Sequence, residues 1–436
     1  MALKTTVVAA VLAFGVAALA SHFIFRGAEP ARPVITSQPG VTATGPSYSA
    51  LLDDIDRRIA GLQKRAEARS NDWLTRMHLG SLILERAGLS SRVEDFERVQ
   101  ALLDDSFVIA PAGSGPVLLA ARFNYSIHRL DAAEKYLDML DRNAVPRADD
   151  QAVSRVLRAA IAMQRGQYQV AFDGLTALAA VVPAAANVEL ALYHAKTGDP
   201  QKAEALLADA LAATDTKDPQ RRAWIKLQLG IIAMDRGELL VALERLQAAD
   251  AELTGWWLVQ EHIAEAYNRR DDHAKATEIY EALVRTNDLP QHMDALAELY
   301  RHMGKTAEAD ELIARASARW DQQLARLPEA AMGHGLQHAL QFGTPERALE
   351  LALANHAARP GGDAKVLLAR AYLRAGKAAE ALAVAEQALA TPYRTARLHD
   401  VAALAHTALG HTAAAEEQVA LRLALNPWYS SDDHSH

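Results

Sequence analysis

The chain has 436 residues, of which 50% are hydrophobic and 6% aromatic, and 46 Lys and Arg stand against 54 Asp and Glu. The net charge of −8 argues against a basic phosphate-binding surface, and therefore against nucleic acid as a partner. The absence of cysteine excludes disulfides, thiolate nucleophiles, Cys-ligated metals and a lipid-modified cysteine anchor.

The N-terminal segment is the only stretch suited to a bilayer. Residues 5–25 carry no permanently charged side chain, and their length is close to the roughly 20 residues that a membrane-spanning helix needs. Two interpretations stay open: an uncleaved anchor, or a signal peptide cleaved after the Ala18-Leu19-Ala20 pattern. Both place the rest of the chain across the membrane, so we expect an inner-membrane protein with its main domain in a bacterial periplasm, or a secreted periplasmic one.

A spacer and a first amphipathic helix follow. Residues 26–49 are rich in proline and glycine and predict a flexible linker. The next segment places Leu51, Ile55, Ile59 and Leu62 on one stripe, which is typical of a helix that docks its apolar face on a neighbour.

The remaining chain repeats. A glycine stands five residues before an alanine at intervals of 32 to 39 residues, with one interval of 67 that spans two repeats around Asp271-Asp272. The glycines in this pattern are Gly166, Gly198, Gly237, Gly304, Gly343, Gly376 and Gly410. We interpret each glycine as the turn between two helices, because glycine is unfavourable inside a helix and accepts a left-handed turn.

The repeat resembles the tetratricopeptide family, whose 34-residue unit reads Leu-Gly-x-x-Tyr, then Ala-x-x-x-Phe, then Pro. The first pattern is matched at Leu229-Gly230, Tyr267, Tyr300 and Tyr372, the second at Ala132-x-x-x-Tyr136, Ala276-x-x-x-Tyr280 and Ala309-x-x-x-Ile313, and the third at Pro111, Pro183, Pro360 and Pro427. The resemblance implies an all-α, right-handed superhelical solenoid of antiparallel helix pairs over residues 50–427, with about nine to ten repeats, and a disordered tail at 428–436.

In such a solenoid the first helix of each pair lines a concave groove, and its unburied polar side chains are the expected partner-binding surface. Projecting the repeats gives the candidate groove residues Asn124, Glu261, Glu265, Asn268, Arg269, Asp294, Glu298, Arg301, His302, Arg370 and Arg374. The resemblance implies an extended peptide or a partner's helix as the ligand, with charge setting its register. The alternative interpretation of each residue is solvated helix surface.

The tryptophans and histidines are further candidates for binding and metal sites. Trp256-Trp257 opens a first helix, where adjacent side chains point about 100° apart, so that one indole can pack inside while the other faces outward as a binding residue. We expect packing between repeats, because a large residue at the start of a helix more often wedges there. His334 and His338 stand four apart, but no His-Glu-x-x-His run or third acidic ligand accompanies them, so we interpret the histidines as scattered surface residues and predict no metal site.

No catalytic motif appears: the sequence has no Gly-x-Ser-x-Gly, phosphate-binding loop or dinucleotide fingerprint. We therefore predict a non-catalytic scaffold without cofactor, tethered to the inner membrane through residues 5–25, that binds proteins or peptides of an envelope complex for secretion, polysaccharide export or cytochrome c maturation. The alternative is a metal-handling or enzymatic periplasmic protein that uses the His-rich C-terminal half.

Overall fold

A computed structural model describes residues 45–111, 114–142 and 148–429. The predicted anchor, the spacer up to residue 44 and the tail from residue 430 lie outside these ranges. Within them, the secondary structure consists of α-helices with two isolated bridges and no named strand. None of these helices is both long and apolar enough to cross a bilayer.

The described residues form 21 α-helices. Their bounds are α1 (Tyr48–Ala68), α2 (Trp73–Ser90), α3 (Val93–Ile109), α4 (Val117–Ser126), α5 (Leu130–Asp141), α6 (Ala148–Gln164), α7 (Tyr168–Ala179), α8 (Pro183–Lys196), α9 (Pro200–Ala212), α10 (Pro219–Asp235), α11 (Leu239–Glu252), α12 (Trp257–Asn268), α13 (His273–Asn287), α14 (Pro290–His302), α15 (Thr306–Arg326), α16 (Pro328–Gln341), α17 (Pro345–Ala358), α18 (Gly362–Arg374), α19 (Ala378–Leu389), α20 (Ala396–Ala408) and α21 (Thr412–Leu425).

From α2 onward the helices pair as ten hairpins, α2–α3 to α20–α21, and each hairpin also packs on the next. Helix α1 precedes them and packs on α2. A single hairpin cannot bury its own apolar face, so the stacking of neighbours builds one continuous core. The all-helical, stacked-hairpin part of the prediction is confirmed for the described residues.

The glycine at a hairpin turn has a definite structural task, illustrated by Gly376. Its φ is 71°, in the left-handed region, and the next residue, Lys377, donates its backbone N–H to the carbonyl of Tyr372 at 2.9 Å. This bond closes the end of α18 in the manner of a Schellman motif, which a residue with a side chain resists. The other predicted turn glycines with a positive φ are Gly166, Gly198, Gly237, Gly304 and Gly410. Gly343 is the one predicted turn glycine that does not have a positive φ.

Two turns adopt the same conformation without glycine. Asp271 has a φ of 67° and His128 one of 62°. His128 stands five residues before Ala133, which is fully buried, whereas Ala132 is only partly buried. The predicted register of this hairpin was therefore wrong by one residue: Ala133 is the small residue at the helix contact.

Alanine occupies the point where the two helices of a hairpin approach most closely. The alanines five residues after the turns are fully buried at Ala171, Ala203, Ala242, Ala276, Ala309, Ala348 and Ala381. A larger side chain there would force the helices apart or into strained rotamers. The predicted role of this position is confirmed.

The hairpins coil so that the later part of the chain lies against the earlier part. We call this contact the seam. Its earlier side consists of turns, at residues 45–47, 89–91, 128–129, 166–168, 196–198 and 237. Its later side consists of loops, at residues 252–257, 326–329, 360–362, 393–395 and 426–428. The backbone N–H of Tyr48 donates to the carbonyl of Thr254 at 2.9 Å. Thr197 and Arg394 form an isolated parallel bridge further along.

Side chains reinforce the seam. Arg129 forms an ion pair with Glu329 at 3.0 Å, and Lys196 one with Asp363 at 2.8 Å. Gly362 is required by close approach, since a Cβ atom there would stand 2.3 Å from the ring of Tyr393. Such contacts, between residues 167 to 200 positions apart, join the earlier and later parts of the solenoid to each other.

Both tryptophans of the Trp256-Trp257 pair are buried. The expected packing between repeats is confirmed for both indoles. Both indole nitrogens face the carbonyl oxygen of Leu89, at 3.4 and 2.7 Å, on the other side of the seam. The pair packs between two turns of the superhelix.

Candidate functional site

The candidate groove residues divide by exposure. Those that are buried are Asn124, Glu261, Glu265, Asn268, Asp294 and Glu298. Arg269, Arg370 and Arg374 are partly buried, while Arg301 and His302 are exposed. The structure therefore buries six of these eleven polar side chains. Buried polar groups depend on hydrogen-bond partners within the protein.

On α12, a short chain of charges links neighbouring turns of one helix. Nδ1 of His262 lies 3.0 Å from a carboxylate oxygen of Glu265, whose other oxygen accepts a hydrogen bond from Arg269 at 2.6 Å. Burial acts to lower the pKa of His262, but the hydrogen bond to Glu265 and the charges of Glu265 and Glu261 together outweigh burial, and the pKa is raised. A buried carboxylate shared by two basic groups is well compensated.

On α14, Asp294 joins three helices. It accepts hydrogen bonds from Nδ1 of His338 at 2.8 Å and from the indole of Trp320 at 2.9 Å. His338 lies on α16 and Trp320 on α15, so one carboxylate holds two successive hairpins together. Since both acceptor oxygens are used, Asp294 acts in packing.

Three more of the predicted side chains, those of Asn124, Glu298 and Arg374, also bond within the chain. Gln341 donates to Glu298 at 2.9 Å, and the side-chain amide of Asn124 donates to the carbonyl of Ala120 at 2.8 Å. Arg374 donates to the carbonyls of Ala339 and Gly343, at 3.1 and 2.6 Å, and so caps the end of α16. These contacts tie first helices to their neighbours.

Arg301 and His302 end α14 and belong to a run of exposed residues, 301–308. Arg301 stacks over the ring of Phe342 at 5.2 Å and pairs with Asp310 at 3.4 Å. His302 stacks on His273 with ring centroids 6.1 Å apart. These contacts hold the two side chains in place at the surface, where an Arg over an aromatic ring presents an ordered charge.

We call the turns of the last five hairpins, residues 269–272, 301–305, 342–344, 374–377 and 408–411, the free edge. Turns of the earlier hairpins meet later loops at the seam, and within the described part of the chain no such loop covers the free edge. Because each hairpin packs on the next, these turns follow one another along one rim of the solenoid.

The structure contains a second candidate that sequence reasoning missed. A cavity of about 120 Å³ lies at the seam, lined by side chains of α6 and α8 on one side and of α16, α17 and α18 on the other. Burial raises the pKa of Glu189 in its wall to about 7, and burial lowers the pKa of Arg359 to about 10. No local sequence signal marks these residues, because they meet only through the coiling of the whole chain.

Six of the described histidines are buried, contrary to the prediction that the histidines are scattered over the surface, whereas His78, His302 and His411 are exposed. His338 and His399 are buried, and His334 stacks on Trp320 with ring centroids 5.9 Å apart. His399 is bonded through Nδ1 to Gln418 at 2.8 Å. Among the residues that the structure describes, no group of three or more His, Asp or Glu is arranged to hold a metal ion. The tail from residue 430, with His434 and His436, lies outside the described residues.

Comparison with known proteins gives one sequence match. The tetratricopeptide repeat family matches residues 292–325, which cover most of the α14–α15 hairpin. No curated protein matches the chain.

Solved structures resemble the chain in fold. A tetratricopeptide repeat protein from Parabacteroides merdae is 20% identical over 56% of this chain and 93% of its own, with a TM-score of 0.33. PilF of Pseudomonas aeruginosa is 21% identical over 49% of this chain and 94% of its own, with a TM-score of 0.35. A monomeric mutant of IFIT1 with m7Gppp-AAAA is 14% identical over 85% of this chain and 95% of its own, with a TM-score of 0.40.

Proposed function

We propose that this protein is a non-catalytic scaffold that binds other proteins along its free edge, as part of an assembly at a bacterial envelope. The observation that carries the proposal is the run of turns from residue 269 to residue 411 that the rest of the described chain leaves uncovered. The same kind of turn, at residues 166–168 and 196–198, already binds a helical-hairpin loop at the seam.

Charge supports this surface. The exposed turn between α14 and α15 carries Arg301, His302 and Lys305, with Met303 39% exposed beside them. Lys305 lies over the ring of Tyr300 at 4.7 Å, so its ammonium group is partly ordered before any partner arrives. A basic rim with an apolar side chain at its centre fits a partner segment that is acidic around an apolar anchor.

The hairpin that carries this turn is also the one that matches the tetratricopeptide family. Protein binding is what that resemblance implies. Six of the groove polar side chains are buried, and Glu265 and Asp294 are bonded within the chain, so the exposed free edge is better suited to a partner than the interior of the solenoid.

The experiment places a photo-crosslinking residue at Met303 in the full chain expressed in its native membranes, followed by identification of adducts. Val170 is the matched control, since it is 62% exposed on the first half of the solenoid. We expect adducts from position 303 that disappear when Arg301→Glu and Lys305→Glu are combined. Identical adducts from both positions, or none from position 303, would overturn the proposed surface.

The membrane tether is a separate part of the proposal and rests on residues 5–25. An uncleaved anchor leaves residues 5–25 on the mature protein and keeps it in the membrane pellet after an alkaline wash. A cleaved signal gives a mature protein that starts after Ala20 and is released by osmotic shock. Recovery of the intact chain in the cytoplasmic fraction would exclude both.

A further inference from the structure

The cavity at the seam is large enough for a small molecule. A volume of about 120 Å³ corresponds to roughly ten water-sized units, because one such unit needs about 10 to 15 Å³ of this space. Its wall combines apolar side chains, among them Met163, Leu192 and Leu367, with several polar groups. This composition is typical of sites for small organic ligands.

Arg359 supplies a positive group. Its Nε atom donates to Asn355 at 2.8 Å, and within the described residues no carboxylate forms an ion pair with its guanidinium. The nearby Asp363 is engaged instead by Lys196 and by the hydroxyl of Tyr393, each at 2.8 Å. A guanidinium with its Nη groups available binds a carboxylate through two parallel hydrogen bonds.

Residue 333 leaves room for this group. A Cβ atom on Gly333 would stand 2.5 Å from Nη2 of Arg359. A side chain at position 333 would therefore displace the guanidinium from the place it occupies here.

Glu189 supplies a negative group elsewhere in the wall. Its carboxyl forms no hydrogen bond or ion pair with the described residues. Burial is the whole cause of its raised pKa, so no cationic side chain of the described residues, Arg359 included, acts on it strongly. The cavity thus holds a carboxyl group without a partner and, apart from it, a guanidinium whose nearest carboxylate, that of Asp363, is bonded to Lys196 and Tyr393.

Two further polar atoms support a ligand. Nδ1 of His334 and Oε1 of Gln337 are buried without a hydrogen-bond partner, and both residues lie in the cavity wall on α16. An unsatisfied buried polar atom costs about 1 to 3 kcal/mol, so native structures rarely retain several of them in one place. A molecule in the cavity can satisfy them.

We propose that the cavity binds a small zwitterion of about ten non-hydrogen atoms, with its carboxylate on Arg359, its ammonium group directed to Glu189 and an apolar middle between them. The wall comes from both turns of the superhelix. The bound molecule therefore holds the two sides of the seam together and stabilises the folded state, by an amount that grows with the logarithm of its concentration above the dissociation constant.

The test uses three probes of matched length, namely 6-aminohexanoate, hexanoate and hexylammonium, with calorimetry and thermal unfolding of the full chain. We expect 6-aminohexanoate to bind most tightly and to raise the midpoint of thermal unfolding most. Arg359→Met should weaken binding of 6-aminohexanoate and of hexanoate at least ten-fold. Glu189→Gln should do the same for 6-aminohexanoate and hexylammonium.

The matched control is Arg347→Met, which removes an exposed arginine of the same helix, α17, and should leave all three probes unaffected. Arg359→Lys keeps the charge but loses the two-bond geometry, and should weaken hexanoate without affecting hexylammonium. A cavity filled with water only would show no response to any probe, and equal binding by Arg359→Met and the unchanged protein would equally overturn the proposal. Neither result depends on whether a protein binds the free edge.

Discussion

Trp257 donates its indole N–H to the backbone carbonyl of Leu89 at 2.7 Å, although the two residues are 168 positions apart. The same carbonyl accepts a hydrogen bond from the hydroxyl of Tyr48 at 3.0 Å. One backbone oxygen thus joins α1, the end of α2 and the start of α12. The relationship shows that the solenoid is held by contacts between its superhelical turns as well as between neighbouring hairpins.

Trp257→Phe should lower the free energy of unfolding by about 1 kcal/mol, because a buried hydrogen bond across the seam is lost while most of the ring's packing is kept. Denaturant unfolding measures the change. The matched control is Trp224→Phe, since Trp224 is also buried but its Nε1 has no hydrogen-bond partner within the described residues. An equal loss in both variants would show that ring volume, and not the bond to Leu89, matters.

Gly376→Ala should destabilise the protein by about 1 kcal/mol, because alanine resists the left-handed conformation that this turn requires. No atom lies within 4 Å of the added Cβ, so the effect comes from the backbone alone. Gly61→Ala is the matched control: its Cβ also meets nothing within 4 Å, but residue 61 lies inside α1. There alanine should stabilise by a similar amount, and a change of the same sign at both positions would contradict the argument.

Two cysteines introduced on opposite sides of the seam should form a disulfide, and the chain has no cysteine of its own that would interfere. Thr197 and Arg394 pair in a parallel bridge, which brings their Cα atoms within the range that a disulfide spans. The double variant Thr197→Cys with Arg394→Cys should form an intramolecular bond under mild oxidation, seen as faster migration on a non-reducing gel. Combining Thr197→Cys with Glu380→Cys, an exposed residue of α19, should give no such band. Equal yields from both pairs would argue against a closed seam.

Glu189 predicts a pH dependence of stability. Its pKa is about 7 in the folded protein, because of burial, and about 4.3 in an unfolded chain. Between these values the unfolded chain has released the proton while the folded protein still holds it, so stability falls as pH rises through this window. Glu189→Gln removes the penalty and should gain up to about 3 kcal/mol relative to the unchanged protein between pH 4.5 and pH 8.

The control for this trend is Glu329→Gln. Burial acts to raise the pKa of Glu329, but the hydrogen bond to Arg129, a backbone hydrogen bond and the charge of Arg129 together outweigh burial, and the pKa is lowered. Its carboxylate therefore contributes stability above about pH 4 that is lost at lower pH, so the variant should be less stable at pH 8 and nearly equal to the unchanged protein below pH 4. Thermal unfolding across this range measures both variants, and parallel trends would contradict the assignment of Glu189.

Local features of the hairpins were readable from the sequence. A turn glycine such as Gly376 and a small residue such as Ala381 act on neighbours a few residues away. Their spacing along the sequence is therefore enough to predict the hairpin. The register at Ala133 was misread because His128 adopts a left-handed turn without the glycine that would mark it.

The sequence by itself thus determined the repeating helical hairpin, its turns and its close-packed alanines, since each depends on contacts within about 40 residues. Only the tertiary structure decided that Glu265 and Asp294 are buried, that Trp256 and Trp257 both pack on Leu89, and that Glu189 and Arg359 share a cavity. The physical reason is that the seam arises from the small rotation between successive hairpins summed over about six of them, and no local pattern encodes that sum.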